Sequence, residues 1–181
     1  ISAVIGIFYA LSKPYIYQAS ALLAPAQDQG GSRIGGQLSG LASLAGVNLG
    51  GGDVNKTTIA KEVLQSRAFL TGFVHRHNLS ADLMATQAWN MDQQEWVYNE
   101  NVYSPATNEW ETDDNGLSLK PTDWDLVKKF KGQLFVAENK DNGMLTVAIK
   151  SLSPVAGRQW VEWLVNDIND HMRAQDVQEA E

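Results

Sequence analysis

Gln133-Leu-Phe-Val-Ala-Glu-Asn-Lys-Asp-Asn-Gly-Met-Leu-Thr-Val-Ala-Ile-Lys150 sets two short runs of branched and aromatic residues around a cluster of turn formers. Gln133–Glu138 and Met144–Lys150 are expected as strands. Asn139-Lys-Asp-Asn-Gly143 is expected to join them as a hairpin, because Asn, Asp and Gly tolerate the positive φ of tight turns. In the second strand the two-residue period puts Leu145, Val147 and Ile149 on one face. Ser153-Pro154 follows as a helix start, the serine capping and the proline filling a position that needs no donor. Trp160, Leu164, Ile168 and Met172 then recur at helical spacing, with no stop signal before Glu181. On the other side, Thr122 caps Asp123-Trp-Asp-Leu-Val-Lys-Lys-Phe-Lys131. Acids in its first turn and lysines in its last complement the helix dipole, and Gly132 is expected to close it.

Further out, Thr57 to about Asn78 reads as one helix, with Ile59, Val63, Leu70, Phe73 and Val74 at three- and four-residue spacing and Asn55 or Thr57 as its cap. Tyr15-Ile-Tyr-Gln-Ala-Ser-Ala-Leu-Leu23, introduced by Pro14, reads as a strand. Residues 27–52 hold most of the chain's glycines, with a short helix expected at Gln37–Ala45 on the spacing of Leu38, Leu41 and Leu44. Residues 80–121 show no comparable period, only turn signals at Ser104-Pro105 and Asp113-Asp-Asn-Gly116. This order predicts an α+β fold: a small mixed β-sheet packed with helices, and the start of a long C-terminal helix.

The 181 residues carry 14 Lys+Arg against 21 Asp+Glu, a formal net charge of -7. The excess is local. No lysine or arginine lies between Arg76 and Lys120, where Asp82, Asp92, Glu95, Glu100, Glu109, Glu111, Asp113 and Asp114 all fall. Without a basic stripe the chain is a poor binder of phosphate backbones, which argues against nucleic acid. With 44% hydrophobic and 19% charged residues it has the composition of a folded domain. Cysteine is absent, which removes disulfides, thiolate catalysis and cysteine zinc sites.

Catalytic and cofactor patterns are equally scarce. No phosphate-binding glycine loop, no G-x-S-x-G and no H-E-x-x-H occurs. His75 and His77, two apart on a helix, point about 200° from each other and do not share an ion. The pairs Glu109/Glu111, Asp113/Asp114 and Asp123/Asp125 have turn and cap roles available that need no acid–base chemistry. No catalytic, metal or cofactor residue is expected. The aromatics of the acidic segment, Trp89, Trp96, Tyr98, Tyr103 and Trp110, have two readings. They are platforms for sugar rings with carboxylates beside them, or staples fastening a long irregular segment to the helices.

The apolar run Ile1–Leu11 spans roughly 16 Å as a helix, about half of a bilayer's hydrocarbon core. It reads either as a buried element or as the end of a membrane helix. Taken with Pro14-Tyr-Ile-Tyr-Gln-Ala-Ser-Ala-Leu-Leu23, Leu38–Leu49, Lys56-Thr-Thr-Ile-Ala60, Leu64-Gln-Ser-Arg-Ala-Phe-Leu70, Leu152-Ser-Pro-Val-Ala156 and Trp160-Val-Glu-Trp-Leu-Val-Asn-Asp-Ile-Asn169, it resembles the chain-length determinant family of bacterial inner-membrane proteins, the polysaccharide co-polymerases. The resemblance rests on the order and spacing of these stretches over nearly the whole chain.

The resemblance implies residues 1–12 as the end of a first transmembrane helix. It implies residues 13–181 as a periplasmic, membrane-proximal α/β domain that ends where a long helical extension begins. It further implies a non-enzymatic protein without cofactor that forms homo-oligomeric rings in the inner membrane. Such rings set the length of O-antigen, capsule or related surface polysaccharides together with the membrane polymerase; the growing polysaccharide is a further candidate partner. Capsule tyrosine kinases share this domain, but their catalytic part is cytoplasmic and no Walker motif is present here. Charged residues left over beside the core stripes, Lys61, Arg67, Arg158, Glu162 and Asp167, are the candidates for contacts between subunits. The acidic stretch 82–114 is expected on an outer or lumenal wall, since like charges on neighbouring copies repel.

Overall fold

The computed structural model describes residues 15–24 and 51–179. Its centre is a three-stranded sheet in the order β1-β7-β6, where β1 is Tyr17–Leu23, β6 Leu134–Glu138 and β7 Leu145–Ser151. β7 pairs antiparallel with both neighbours, Tyr17 lying opposite Ser151 and Leu134 opposite Ile149. The sheet is therefore purely antiparallel and not mixed. A tight hairpin can only reverse the chain between β6 and β7, and β1 enters against β7 in the same opposed sense. The hairpin turns through Gly143 at φ +67°, with the Asn139 N–H donating to the Met144 carbonyl at 2.8 Å.

Leu145, Val147 and Ile149 are buried on one face, as their alternation requires, with Ala19, Ala21, Leu134 and Val136 beside them. Against this face lies the helix Pro154–Glu179, whose buried stripe is Trp160, Leu164 and Ile168, with Met172 partly covered. Ser153 caps it, its Oγ accepting from the Ala156 N–H at 3.0 Å. Gly157 lets the helix approach closely: a Cβ there would stand 3.2 Å from the Ser151 Cβ. Fully burying side chains such as Phe73, Phe130 and Leu164 stabilises the core by about 1.5–3 kcal/mol each.

The helix expected over Thr57–Asn78 is two helices, α1 (Gly51–Gln65) and α2 (Arg67–Arg76). Ser66 separates them in extended conformation, and its Oγ accepts from the Phe69 N–H at 3.3 Å as the cap of α2. A serine can offer that alternative to the helical ladder, and here the alternative prevails. Thr57 is no cap but a buried residue inside α1. α2 presents Leu70, Phe73 and Val74 to the core. After the five-residue helix α3 (Ser80–Met84) the chain forms two small antiparallel hairpins, β2 (Thr86–Asn90) with β3 (Glu95–Tyr98), and β4 (Tyr103–Ser104) with β5 (Glu109–Trp110).

α4 (Asp123–Gln133) begins with a reciprocal capping box between Thr122 and Asp125. It does not stop at Gly132; it runs on to Gln133 and hands the chain straight to β6 at Leu134. The Gly132 Cβ position is open, so nothing there forces the helix to end. The C-terminal helix, Pro154–Glu179, is α5. Among the described residues no helix is long and apolar enough to cross a membrane. The apolar run 1–12 and the helix expected at Gln37–Ala45 lie outside the described residues.

Candidate functional site

The acidic, aromatic segment is organised by its two hairpins. In β2–β3 the Asn90 side-chain oxygen accepts from the backbone N–H groups of Asp92 and Gln93, closing the turn. The register then sets Trp89 directly opposite Trp96, with their rings edge to face at 5.0 Å. Trp96 continues inward to Trp160 of α5, 6.1 Å between centroids at 30°, and Trp160 reaches Phe130. The hairpin is thus tied to the core through Trp96.

Tyr98, at the end of β3, donates its hydroxyl to Asp82 Oδ1 of α3 at 2.6 Å. Burial pushes the Asp82 carboxyl above the usual range, while donation from Tyr98 and from the Trp96 indole partly restores its ionised form. The Tyr98 phenol is pushed up, first by burial and then by the adjacent carboxylate. Both groups therefore hold a proton more readily than they would free in water.

Opposite this wall, His77 at the end of α2 stacks on Trp163 of α5, with centroids 4.5 Å apart and planes 7° apart. Its Nε2 lies 3.1 Å from Asp167 Oδ2, and the same carboxylate oxygen accepts from Arg76. Between the two walls runs an open groove of about 720 Å³. Its lining includes Trp89, Trp96 and Tyr98 from the hairpin, His77 from α2, and Gln159 and Trp163 from α5. Asp82, Glu95 and Glu100 give it carboxylates, Gln94 and Gln159 give it amides, and among the described residues no lysine or arginine lines it. The Trp89 Nε1 is buried without an acceptor.

Of the five aromatics singled out from sequence, Trp89, Trp96 and Tyr98 share this groove, whereas Tyr103 and Trp110 do not line it. Tyr103 is buried between Tyr98 and Trp110, at 5.3 and 5.2 Å, and its hydroxyl donates to Asn108. Those two rings hold β4–β5 against the end of β3. Sequence reasoning missed His77, Gln159 and Trp163. Trp163 carried a signal, since it follows Trp160 by one helical turn and sits just off the core stripe.

The charged residues proposed for subunit contacts lie in several places. Lys61 is 3.9 Å from Glu138, and Arg158 bonds Glu162 at 2.8 Å one turn along α5. Asp167 is turned toward α2, only 11% exposed. Arg67 is exposed at the first position of α2. The acid pairs have local roles: Asp113 accepts from the N–H groups of Asn115 and Leu117, Asp125 closes the capping box, and Asp123 meets His75 Nε2 at 2.7 Å. Those hydrogen bonds hold Asp113 and Asp125 below the usual carboxylate range. Among the described residues no group of three or more His, Asp or Glu side chains could hold a metal ion. No protein-family model matches the chain, and no curated protein matches it.

Proposed function

We propose that this chain is the membrane-proximal periplasmic domain of a regulator of surface-polysaccharide chain length, acting as a homo-oligomeric scaffold beside the membrane polymerase. Residues 1–12 are then the end of its first transmembrane helix. One observation carries the reading beyond the sequence resemblance: the direction in which the chain enters and leaves the sheet. Tyr17 stands opposite Ser151, so the entry of β1 and the start of α5 at Pro154 share one end of the sheet. From there α5 runs 26 residues, about 39 Å, past strands of 7 residues that span about 23 Å. Its turns beyond Met172 are mostly exposed.

On this reading the apolar run anchors the end of the sheet where β1 enters, and α5 reaches past the opposite end, away from the membrane surface. That arrangement suits a scaffold better than a soluble catalyst. The test is genetic. Deleting the gene shifts the modal length of the surface polysaccharide on a gel ladder, and restoring it returns the mode; an unchanged ladder refutes the reading.

A further inference from the structure

We propose that the groove between the β2–β3 hairpin and the first turns of α5 is a subsite for a neutral or amine-bearing glycan chain, and that its charge turns away glycans bearing uronates or phosphates. The choice of a glycan rests on the function proposed above. The choice of its charge rests on the groove.

The groove's size, about 720 Å³, lies within the roughly 300–1,000 Å³ of small-ligand sites. Trp89, Trp96, Tyr98 and Trp163 supply aromatic surface for the apolar faces of sugar rings. Around them stand the amide of Gln159 and the carboxylates of Glu95 and Glu100, beside Asp82, Gln94 and His77, which already bond Tyr98, Met91 and Asp167. Hydroxyl groups both donate and accept, so they are served by such a mixture, whereas a lysine ammonium only donates.

Charge then selects among glycans. Among the described residues Glu95, Glu100 and the Tyr98-bonded Asp82 line the groove without a facing lysine or arginine. Arg76 is engaged by Asp167 and Arg158 by Glu162, so neither offsets them there. An anionic sugar entering meets uncompensated like charge, while a hexosamine ammonium meets complementary charge.

The full chain is titrated with neutral oligosaccharides of mixed linkage, hexosamine oligomers, oligogalacturonates and a hexalysine peptide. Tryptophan fluorescence and calorimetry read the binding. Saturable binding of neutral or hexosamine members, at least tenfold tighter than of galacturonates, is expected. Gln159→Ala weakens it several-fold. Glu95→Lys with Glu100→Lys, both at exposed positions, erases or reverses the discrimination without moving the thermal melt. A flat response to all neutral and hexosamine members overturns the proposal, as does a preference for galacturonate or binding of hexalysine alone. An altered polysaccharide ladder with a flat titration removes this inference and leaves the proposed function; saturable glycan binding with an unchanged ladder does the opposite.

Discussion

Asp167→Ala removes a carboxylate that joins the end of α2 to the middle of α5. Its side chain is 11% exposed and accepts from Arg76, which is 57% exposed, and from His77, which is 16% exposed. The two partners lose unequal amounts. Water can resolvate the Arg76 guanidinium, so that pair contributes about 0–1 kcal/mol. The His77 hydrogen bond is held beneath the stacked Trp163 ring, and leaving its donor or acceptor unpaired costs about 1–2 kcal/mol. The expected loss is therefore about 1–3 kcal/mol. For a chain of this size that lowers the melting temperature by roughly 2–12 °C, at about 2–4 °C per kcal/mol. Urea unfolding followed by far-ultraviolet circular dichroism measures it, with the slope m unchanged. Asp167→Asn keeps an acceptor and loses less. In a double-mutant cycle, coupling to His77 exceeds coupling to Arg76. A variant within about 0.5 kcal/mol of the parent refutes the reasoning, as does a cycle in which Arg76 accounts for the whole loss. Unchanged stability with dissociation of assembled copies would instead assign Asp167 to the subunit contact suggested by its place in the sequence.

Gly157→Leu forces a side chain into a space where even a Cβ would stand 3.2 Å from the Ser151 Cβ and 3.9 Å from the Ala19 Cβ. Overpacking of about 1–3 kcal/mol outweighs the gain of under about 1 kcal/mol from better helix propensity, so the urea midpoint falls; a rise would show that α5 can slide off the sheet. Asp82→Asn changes the pH dependence of stability. Because burial raises the Asp82 pKa above 3.8, the folded chain binds more protons than the unfolded one between 3.8 and the raised value, and stability declines as pH rises through that window. Asparagine still accepts from Tyr98 but does not ionise, so the variant lacks this share of the decline. Stability curves that run parallel from pH 3 to 7 would refute the assignment.

The elements legible from sequence are those whose periodicity and end signals agree. Leu145, Val147 and Ile149 alternate beside a turn-forming cluster, and Ser153-Pro154 stands just ahead of the Trp160–Ile168 stripe; the structure buries each set together. Where one signal stood alone, it misled. Gly132 marks the end of α4 to within one residue, but the cap is Leu134 in extended conformation, so no left-handed glycine closes the helix. Ser66 resembles a tolerated helix interior, yet its hydroxyl offers the Phe69 N–H a local partner and splits one expected helix into two. The sheet's antiparallel character was implicit in the β6–β7 hairpin, but the pairing of β1 with β7 brings together residues more than 120 positions apart, and no local pattern encodes it.

The groove illustrates the same limit at a functional level. Trp89 and Trp96 are near neighbours in sequence, and their aromatic character was enough to mark them. Their partners across the groove belong to α2 and α5, placed there by core packing of Phe73, Trp160 and Leu164 that has nothing to do with ligand chemistry. The same packing decides which aromatics remain for a ligand. Trp160 is 2% exposed and spent on the core, while Tyr103 is 7% exposed and spent on the second hairpin. Trp163, one turn beyond Trp160, keeps a position on the groove because the helix turns its side chain about 60° away from the stripe. The acidic character that first argued against nucleic acid also divides in this way. Asp113 is consumed in a turn, whereas Asp82, Glu95 and Glu100 converge on one concavity that no lysine or arginine among the described residues faces. A sequence count weighs these acids equally; only the fold separates those that close turns from those that line the groove.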